Sequence, residues 1–349
     1  MTAFEDLLTW RESSTSGEAI AATVGAATRL PAGARDLLAA ADRIVVTGAG
    51  SSYYLALAVA AGAREALGKP VMAAPLSELI LRPGGVLVGG SEPVVIISRS
   101  GSTSEAVTVA ERMRAAGHPT IAVTCRAHSP LATLADVTLV SPAGDEAAIV
   151  MTRSFASMLA LLLGVVAIVG GDDRLAEDLG RLPDRWPEAG AAAGIGRRLG
   201  KTDWSGVVVL GGGPAFGIAA EWGLKLTETS QVPANAYEPL EFRHGPISVC
   251  EPGMLVVGLV GGAGASDEVA VIDEAARLGA ATWLIARDED EVGGAGGEVS
   301  LIGGGLHPTA RLPLLLHPAH ALALSLAQTR GRDPDMPRHL GQVVILGTE

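Results

Sequence analysis

The chain has 349 residues, 48% of them hydrophobic, with 45 glycines, 20 prolines and a formal net charge of −12. That length supports two domains with substantial cores, and the acidic balance excludes broad electrostatic attraction to nucleic acid or to an acidic membrane. Two cysteines, Cys125 and Cys250, are too few for a disulfide framework and point to a reducing cytoplasm.

The first residues, Met1-Thr2-Ala3-Phe4-Glu5-Asp6, are acidic where a signal peptide would be basic. Residues 1–40 then read as two helices, broken near Ser13-Ser14-Thr15-Ser16-Gly17 and ending before Pro31. The first strand is Arg43-Ile44-Val45-Val46, which opens into Thr47-Gly48-Ala49-Gly50-Ser51-Ser52 and an apolar helix from Tyr53 to Leu67. This Gly-x-Gly lacks the third glycine of a dinucleotide fingerprint. Val71-Met72-Ala73-Ala74 also brings no acidic residue for a ribose, so a nicotinamide cofactor is not expected.

A second apolar run, Pro93-Val94-Val95-Ile96-Ile97, reads as a buried parallel strand. It leads into Ser98-Arg99-Ser100-Gly101-Ser102-Thr103, and then into an amphipathic helix with Ala106, Val109, Ala110 and Met113 on one face. Hydroxyls and free N–H groups at a helix N-terminus suit a phosphate or carboxylate. The same residues also suit a hydrophilic turn with Ser102 or Thr103 as N-cap. Strands follow at Thr120–Thr124 and Val137–Val140. The alternation of strands and helices predicts an α/β fold with an open, doubly wound parallel sheet. The greasy run Ala156 to Val169 is shorter than the roughly 20 residues that span a bilayer and reads as a buried helix. We expect a cytoplasmic protein with no membrane and no nucleic-acid partner.

The strand pattern then repeats. Ile44 to Gly50 matches Val207 to Gly213, an offset of 163 residues (207 − 44). At that offset Ile96-Ile97-Ser98 falls on Leu259-Val260-Gly261, and Ile121-Ala122 falls on Leu284-Ile285. A shared offset predicts a duplicated domain. The copies differ at the loop: Ser98-Arg99-Ser100-Gly101 becomes Gly261-Gly262-Ala263-Gly264, without hydroxyls. The expected organisation is N-terminal helices over 1–40, a first domain with the hydroxyl loop over 41–185, a link over 186–200, a second domain over 201–330 and a tail over 331–349.

Glu221, Lys225 and Glu228 are spaced to share one helix face, which is either a solvated stripe or a held carboxylate suited to general-base work. Glu241-Phe242-Arg243-His244-Gly245-Pro246 reads as a loop carrying a histidine. His317 and His320 lack a clustered partner in sequence, so no metal site is expected.

Taken in order, these motifs resemble a known family. They are Gly50-Ser51-Ser52, Ser98-x-Ser100-Gly101-x-Thr103, Glu146 with Met151-Thr152-Arg153-Ser154-Phe155, Glu221-(x)3-Lys225-(x)2-Glu228, Arg243-His244-Gly245-Pro246 and Asp335-Met336-Pro337-Arg338-His339-Leu340. From about residue 41 onward the chain resembles tandem SIS (sugar isomerase) proteins. Among them it is similar to the isomerase half of glucosamine-6-phosphate synthase and the tagatose/galactosamine-6-phosphate isomerase–deaminase group. The resemblance implies two flavodoxin-like domains and a sugar-phosphate substrate. It places Ser98, Ser100 and Thr103 on the phosphate, Ser52 near the sugar, and Arg99, Thr152, Lys225 and Gln342 among the binding residues. It makes Glu228 the residue that moves the proton, and His244, supplied by the second subunit of a homodimer, the residue that assists ring opening.

Two departures matter. The synthase has a lysine after its Pro-Arg-Asn-Leu tail motif where this chain has Gln342, and a glutamine where this chain has Arg99. The synthase's glutaminase domain has no counterpart in these residues, so ammonia from glutamine is not expected. With only Lys69, Lys201 and Lys225 present, an imine route would have to use Lys225 or be absent. The expected activity is aldose–ketose isomerisation of a hexose or amino-sugar 6-phosphate, with deamination as a possible coupled step. A deglycase or deaminase acting on a phosphorylated sugar–amine adduct and a non-catalytic sugar-phosphate sensor are the alternatives.

Overall fold

A computed structural model describes residues 2–27, 30–294 and 296–344. The chain forms two compact units. The first contains residues 16–147 and 153–180 together with the tail from 341, and the second contains residues 2–15, 148–152 and 181–340.

Helix α1 (Leu8–Ser14) belongs to the second unit, and the first unit begins with α2 (Ser16–Ala27) and α3 (Ala32–Ala40). The segment before the first strand thus holds three helices, where sequence reading expected two. Pro31 occupies the N-cap of α3, a position that needs no N–H, so it starts a helix as well as ending what precedes it. At the other end of α3, the ammonium of Lys69 donates to the carbonyls of Leu38, Ala39 and Ala41.

The first sheet holds β1 (Ile44–Gly48), β2 (Val71–Pro75), β3 (Val94–Ile97), β4 (Thr120–Thr124) and β5 (Val137–Val140), all parallel, in the order β2-β1-β3-β4-β5. Helices α4 (Ser51–Leu67), α5 (Leu76–Leu81), α6 (Ser104–Ala116) and α7 (Pro130–Leu134) connect the strands. Every residue of β1, β3 and β4 is buried, as expected for strands covered on both faces. The apolar helix α8 (Arg153–Gly170) is long and apolar enough to cross a membrane, but 78% of it is buried within the fold, where it packs on α2 and α4. Helix α9 (Asp173–Gly180) completes the unit.

The second unit continues with α10 (Leu182–Leu199), which contains the segment expected to be a link. Its alanines and glycines read as a spacer in sequence but form a packing seam against the last helix. A Cβ at Gly196 would lie 2.6 Å from the Pro318 carbonyl, so a small residue is what permits the close approach. The sheet follows with β6 (Gly206–Gly211), α11 (Pro214–Ser230), β7 (Ala234–Tyr237), α12 (Pro239–Phe242), β8 (Met254–Leu259), α13 (Ala265–Arg277), β9 (Ala281–Ala286), β10 (Glu298–Leu301) and α14 (Leu316–Thr329). Its strand order, β7-β6-β8-β9-β10, repeats that of the first sheet.

The duplication extends to backbone angles. Gly50 caps α4 at φ 54°, ψ −127°, and Gly213 caps α11 at φ 53°, ψ −125°. Both helices run 17 residues and end in a left-handed residue, Gly68 at φ 60° and Gln231 at φ 58°. Each strand therefore turns into its helix through one strained glycine. A Cβ at Gly50 or Gly213 would meet nothing within 4 Å, so replacement costs backbone strain alone. Gly50→Ala and Gly213→Ala should each lower stability by about 1–3 kcal/mol, and by similar amounts, in urea unfolding. A neutral result at either position would remove the strained-turn account.

Candidate functional site

In each sheet the strand order reverses between the first and third strands, and an open α/β sheet has its ligand crevice beyond the strand ends at such a point. In the first unit two loops flank that crevice. One is Ala49-Gly50 leading into Ser51 and Ser52, after β1. The other is Ser98–Thr103, after the neighbouring strand β3. Ser51, Ser52, Ser98, Arg99 and Ser100 are all buried.

The hydroxyl loop holds its own shape. The Gly101 N–H donates to Ser98 Oγ at 3.2 Å, and the Ser102 N–H donates to Ser100 Oγ at 3.1 Å. The Ser98 and Thr103 hydroxyls lie 3.3 Å apart, and Thr103 is the N-cap of α6. The loop is also tied to its neighbours, since the Arg99 carbonyl accepts from the Cys125 N–H and the Thr124 hydroxyl. Gly101 sits at φ 62°, and a Cβ there would lie 2.1 Å from Ser129 Oγ, so only glycine fits this bend. The result is a rigid row of hydroxyls at a helix N-terminus, which is anion-binding chemistry without a lysine.

Arg99 turns toward the tail. Its Nη2 donates to the Gln342 carbonyl at 2.9 Å, and its Nη1 lies 3.6 Å from Glu146 Oε1. The Gln342 side chain in turn donates to the Glu146 carbonyl at 2.9 Å. The Glu146 carboxylate accepts from the Arg153 N–H at 3.1 Å and from the Ser154 hydroxyl. Arg99, Glu146, Arg153, Ser154 and Gln342 thus form one cluster beside the loop, with Arg99, Glu146 and Ser154 buried. Ser154 stood in the sequence only as one position of the Met151–Phe155 motif read together with Glu146, without a role of its own. Its place becomes visible only when the start of α8 meets Glu146.

In the second unit, α11 carries the three charged residues read from the sequence. They are not a solvated stripe. Glu221 and Lys225 are fully buried, and the Glu228 side chain is 20% exposed. Lys225 Nζ lies 3.4 Å from Glu221 Oε1 and donates a close hydrogen bond to Glu228. Burial by itself would lower the lysine pKa, but the two carboxylates outweigh it and raise it above the usual value. Lys225 is therefore an ammonium, and Glu228 is its partly exposed partner. Trp222, between them in sequence, points elsewhere: its indole N–H donates to the Leu315 carbonyl at 2.9 Å.

Two predicted residues remain to be placed. Thr152 is buried in the 148–152 segment of the second unit, and His244 is exposed in the turn after α12. Within the second unit the His244 N–H caps that turn by donating to the Glu241 carbonyl at 3.0 Å.

The second crevice, between β6 and β8, is already filled. The carboxylate of Glu268 accepts from the Gly261 N–H, and a Cβ on Gly212 would lie 2.4 Å from Glu268 Oε1. The Gly262 N–H donates to Glu291 at 3.1 Å. Where the first copy presents hydroxyls, the second supplies its own carboxylates to the loop. Burial raises the Glu268 pKa from 4.5 to about 7, against the Gly261 hydrogen bond and the Arg311 charge, which both lower it. The folded protein then keeps this proton up to about pH 7, while the unfolded chain releases it near 4.5. The folded state binds more protons in that window, so this group's contribution to stability falls as pH rises. Glu268→Gln should remove the fall, gaining on the wild type in urea midpoint from pH 5 to pH 8 (roughly the window spanned by the shift). A difference that stays flat with pH would refute the shifted carboxyl.

Known proteins share this arrangement. The SIS domain family matches residues 37–167 and 202–292, more than half of the chain. Glutamine–fructose-6-phosphate aminotransferase (isomerizing) of Aeropyrum pernix is 30% identical over 342 residues, covering 90% of this chain and 52% of the relative. The chain thus spans about half the length of such curated relatives. Among solved structures, the glucosamine-6-phosphate deaminase of Thermotoga maritima is 27% identical, with a TM-score of 0.80 over 97% of this chain and 99% of that one. The tagatose-6-phosphate ketose/aldose isomerase of Escherichia coli shares the fold, with a TM-score of 0.85 at 22% identity over 96% of this chain and 97% of that one. The chain therefore belongs to the SIS domain family, with two copies of the domain in tandem.

Proposed function

We propose that this chain isomerises a hexose or amino-hexose 6-phosphate between its aldose and ketose forms. The observation that carries the reading is the Lys225–Glu228 pair. The buried Lys225 ammonium donates a hydrogen bond to the partly exposed Glu228 carboxylate and fixes it in place, which suits Glu228 to act as the base. In the reaction Glu228 takes the proton from the carbon next to the carbonyl. The electron pair moves to the carbonyl oxygen to give an enediolate, and the proton of the neighbouring hydroxyl passes to that oxygen. As the neighbouring C–O becomes the new carbonyl, Glu228 returns its proton to the former carbonyl carbon. Ser98, Ser100 and Thr103 hold the phosphate through their hydroxyls, and Ser52 lies near the sugar. His244, from the second subunit of a homodimer, assists ring opening, a role that its exposed turn suits.

The lysines favour a route without an enzyme-bound imine. Lys225 is held as an ammonium, Lys69 donates to three backbone carbonyls, and Lys201 is exposed. An amine must lose its proton before it attacks a carbonyl, and at Lys225 the two carboxylates outweigh burial and oppose that loss. Deamination of an amino-sugar phosphate by the same base is the second reading, favoured by the 27% identity to the Thermotoga maritima deaminase.

Proton NMR time courses with fructose 6-phosphate, with and without ammonia, and with glucosamine and galactosamine 6-phosphates test both readings. Aldose–ketose interconversion without ammonia is the expected outcome. Ammonia release would move deamination to the front, and binding without turnover would replace the enzyme reading with a sensor. Glu228→Gln should still bind the sugar phosphate while losing about 10²–10⁴-fold in rate. Borohydride added during turnover should leave no sugar on any lysine. A reduced adduct on Lys225 would overturn the imine-free route.

A further inference from the structure

Three residues of the second unit make a buried cluster that the proposed reaction does not use. Ser13, at the end of α1, is fully buried, and its Oγ lies 2.8 Å from His317 Nδ1 and 2.7 Å from His320 Nδ1, both on α14. The His317 ring stacks on Trp10, with centroids 4.8 Å apart, and Trp186 packs against it at 4.9 Å. Burial pushes the His317 pKa down to about 4, and burial together with His317 and Lys225 pushes that of His320 well below its usual value. Both rings are neutral at ordinary pH.

A hydroxyl has one proton. It could accept from both rings, but among the described residues Ser13 Oγ has no other acceptor for its own proton. The arrangement that uses that proton donates to one Nδ1 and accepts from the other, so the two rings carry opposite tautomers. The register between α11 and α14 says which is which. Trp222 on α11 donates to the Leu315 carbonyl at 2.9 Å, and the Thr229 hydroxyl donates to the Ala323 carbonyl on α14 at 3.3 Å. The two helices advance together, which brings Lys225 level with His320. His320 Nε2 is buried and has no hydrogen-bond partner. Beside an ammonium, a proton on that nitrogen would be repelled, while a lone pair is attracted. His320 therefore carries its proton on Nδ1 and donates it to Ser13. Ser13 donates to His317 Nδ1, and His317 carries its proton on Nε2.

We propose that Ser13 and His317 lock His320 in the Nδ1–H tautomer, so that a lone pair on Nε2, in place of an N–H, lies in the field of Lys225 and favours the ammonium that positions Glu228. His320 and Ser13 are then positioning residues for the base, acting through Lys225. The positioning role rests on the proposed isomerase reading, whereas the tautomers and their effect on Lys225 do not.

The test uses the full chain labelled with nitrogen-15. Long-range proton–nitrogen spectra should show His320 as the Nδ1–H tautomer and His317 as the Nε2–H tautomer. With only three lysines, the Lys225 ammonium signal is assignable by its loss in Lys225→Arg. Ser13→Ala should mix the His320 tautomers and move the Lys225 signal, whereas Ser13→Thr, which keeps the hydroxyl, should restore both. In turnover Ser13→Ala should lower kcat by roughly 10-fold with KM little changed, as expected when a group that orients a reacting residue is lost. His320 found as the Nε2–H tautomer, or a Lys225 signal indifferent to Ser13→Ala, would overturn the relay whether or not the protein turns over sugar phosphate. A wild type with the expected spectra and no turnover would instead refute the isomerase reading.

Discussion

A buried parallel strand that turns into a helix through one glycine near φ 54° is the constraint on which both units are built. The turn is tight, so the helix starts directly over the strand end and its first N–H groups lie at the edge of the sheet. Only a residue without a Cβ tolerates those angles cheaply. Because the same turn recurs with the same helix length and the same left-handed exit, the second copy inherits the geometry of the first. Everything chemical in the molecule is arranged on the loops and helix faces that this turn fixes in place.

Identical frames carry different chemistry. In the first copy, Ser98–Thr103 folds back on its own hydroxyls and stays a rigid, neutral donor surface. In the second copy the glycine loop cannot hold a ligand by side chains, and Glu268 and Glu291 take up its N–H groups. The second copy contributes through α11 instead, where burial makes the Glu221–Lys225–Glu228 row mutually dependent. A buried ammonium needs carboxylates close by, and Glu221 and Glu228 raise the Lys225 pKa against the effect of burial.

The main strands were legible because β-branched runs such as Val94–Ile97 and Val207–Leu210 lie in central strands covered on both faces. The edge strands β7 and β10 were not, because Ala234–Tyr237 and Glu298–Leu301 are short and mixed in polarity. Helix α3 was missed, and most of α10 was read only as a link, for a related reason. Alanine and glycine carry little periodic signal, and their value appears only where another helix packs closely against them, as α14 does at Gly196.

What the sequence determined by itself was local and periodic: the strand rhythm, the duplication at a fixed offset, the hydroxyl loop at a helix start, and the shared face of Glu221, Lys225 and Glu228. Those follow from helix and strand periods and from glycine's conformational freedom, which act over a few residues. The tertiary structure alone decided which of those charges are buried, that Arg99 faces Glu146 and Gln342, that Glu268 fills the second crevice, and that Ser13 joins His317 to His320. Burial and pairing depend on partners as far as 307 residues away along the chain, and no local pattern encodes which distant group will lie within 3 Å.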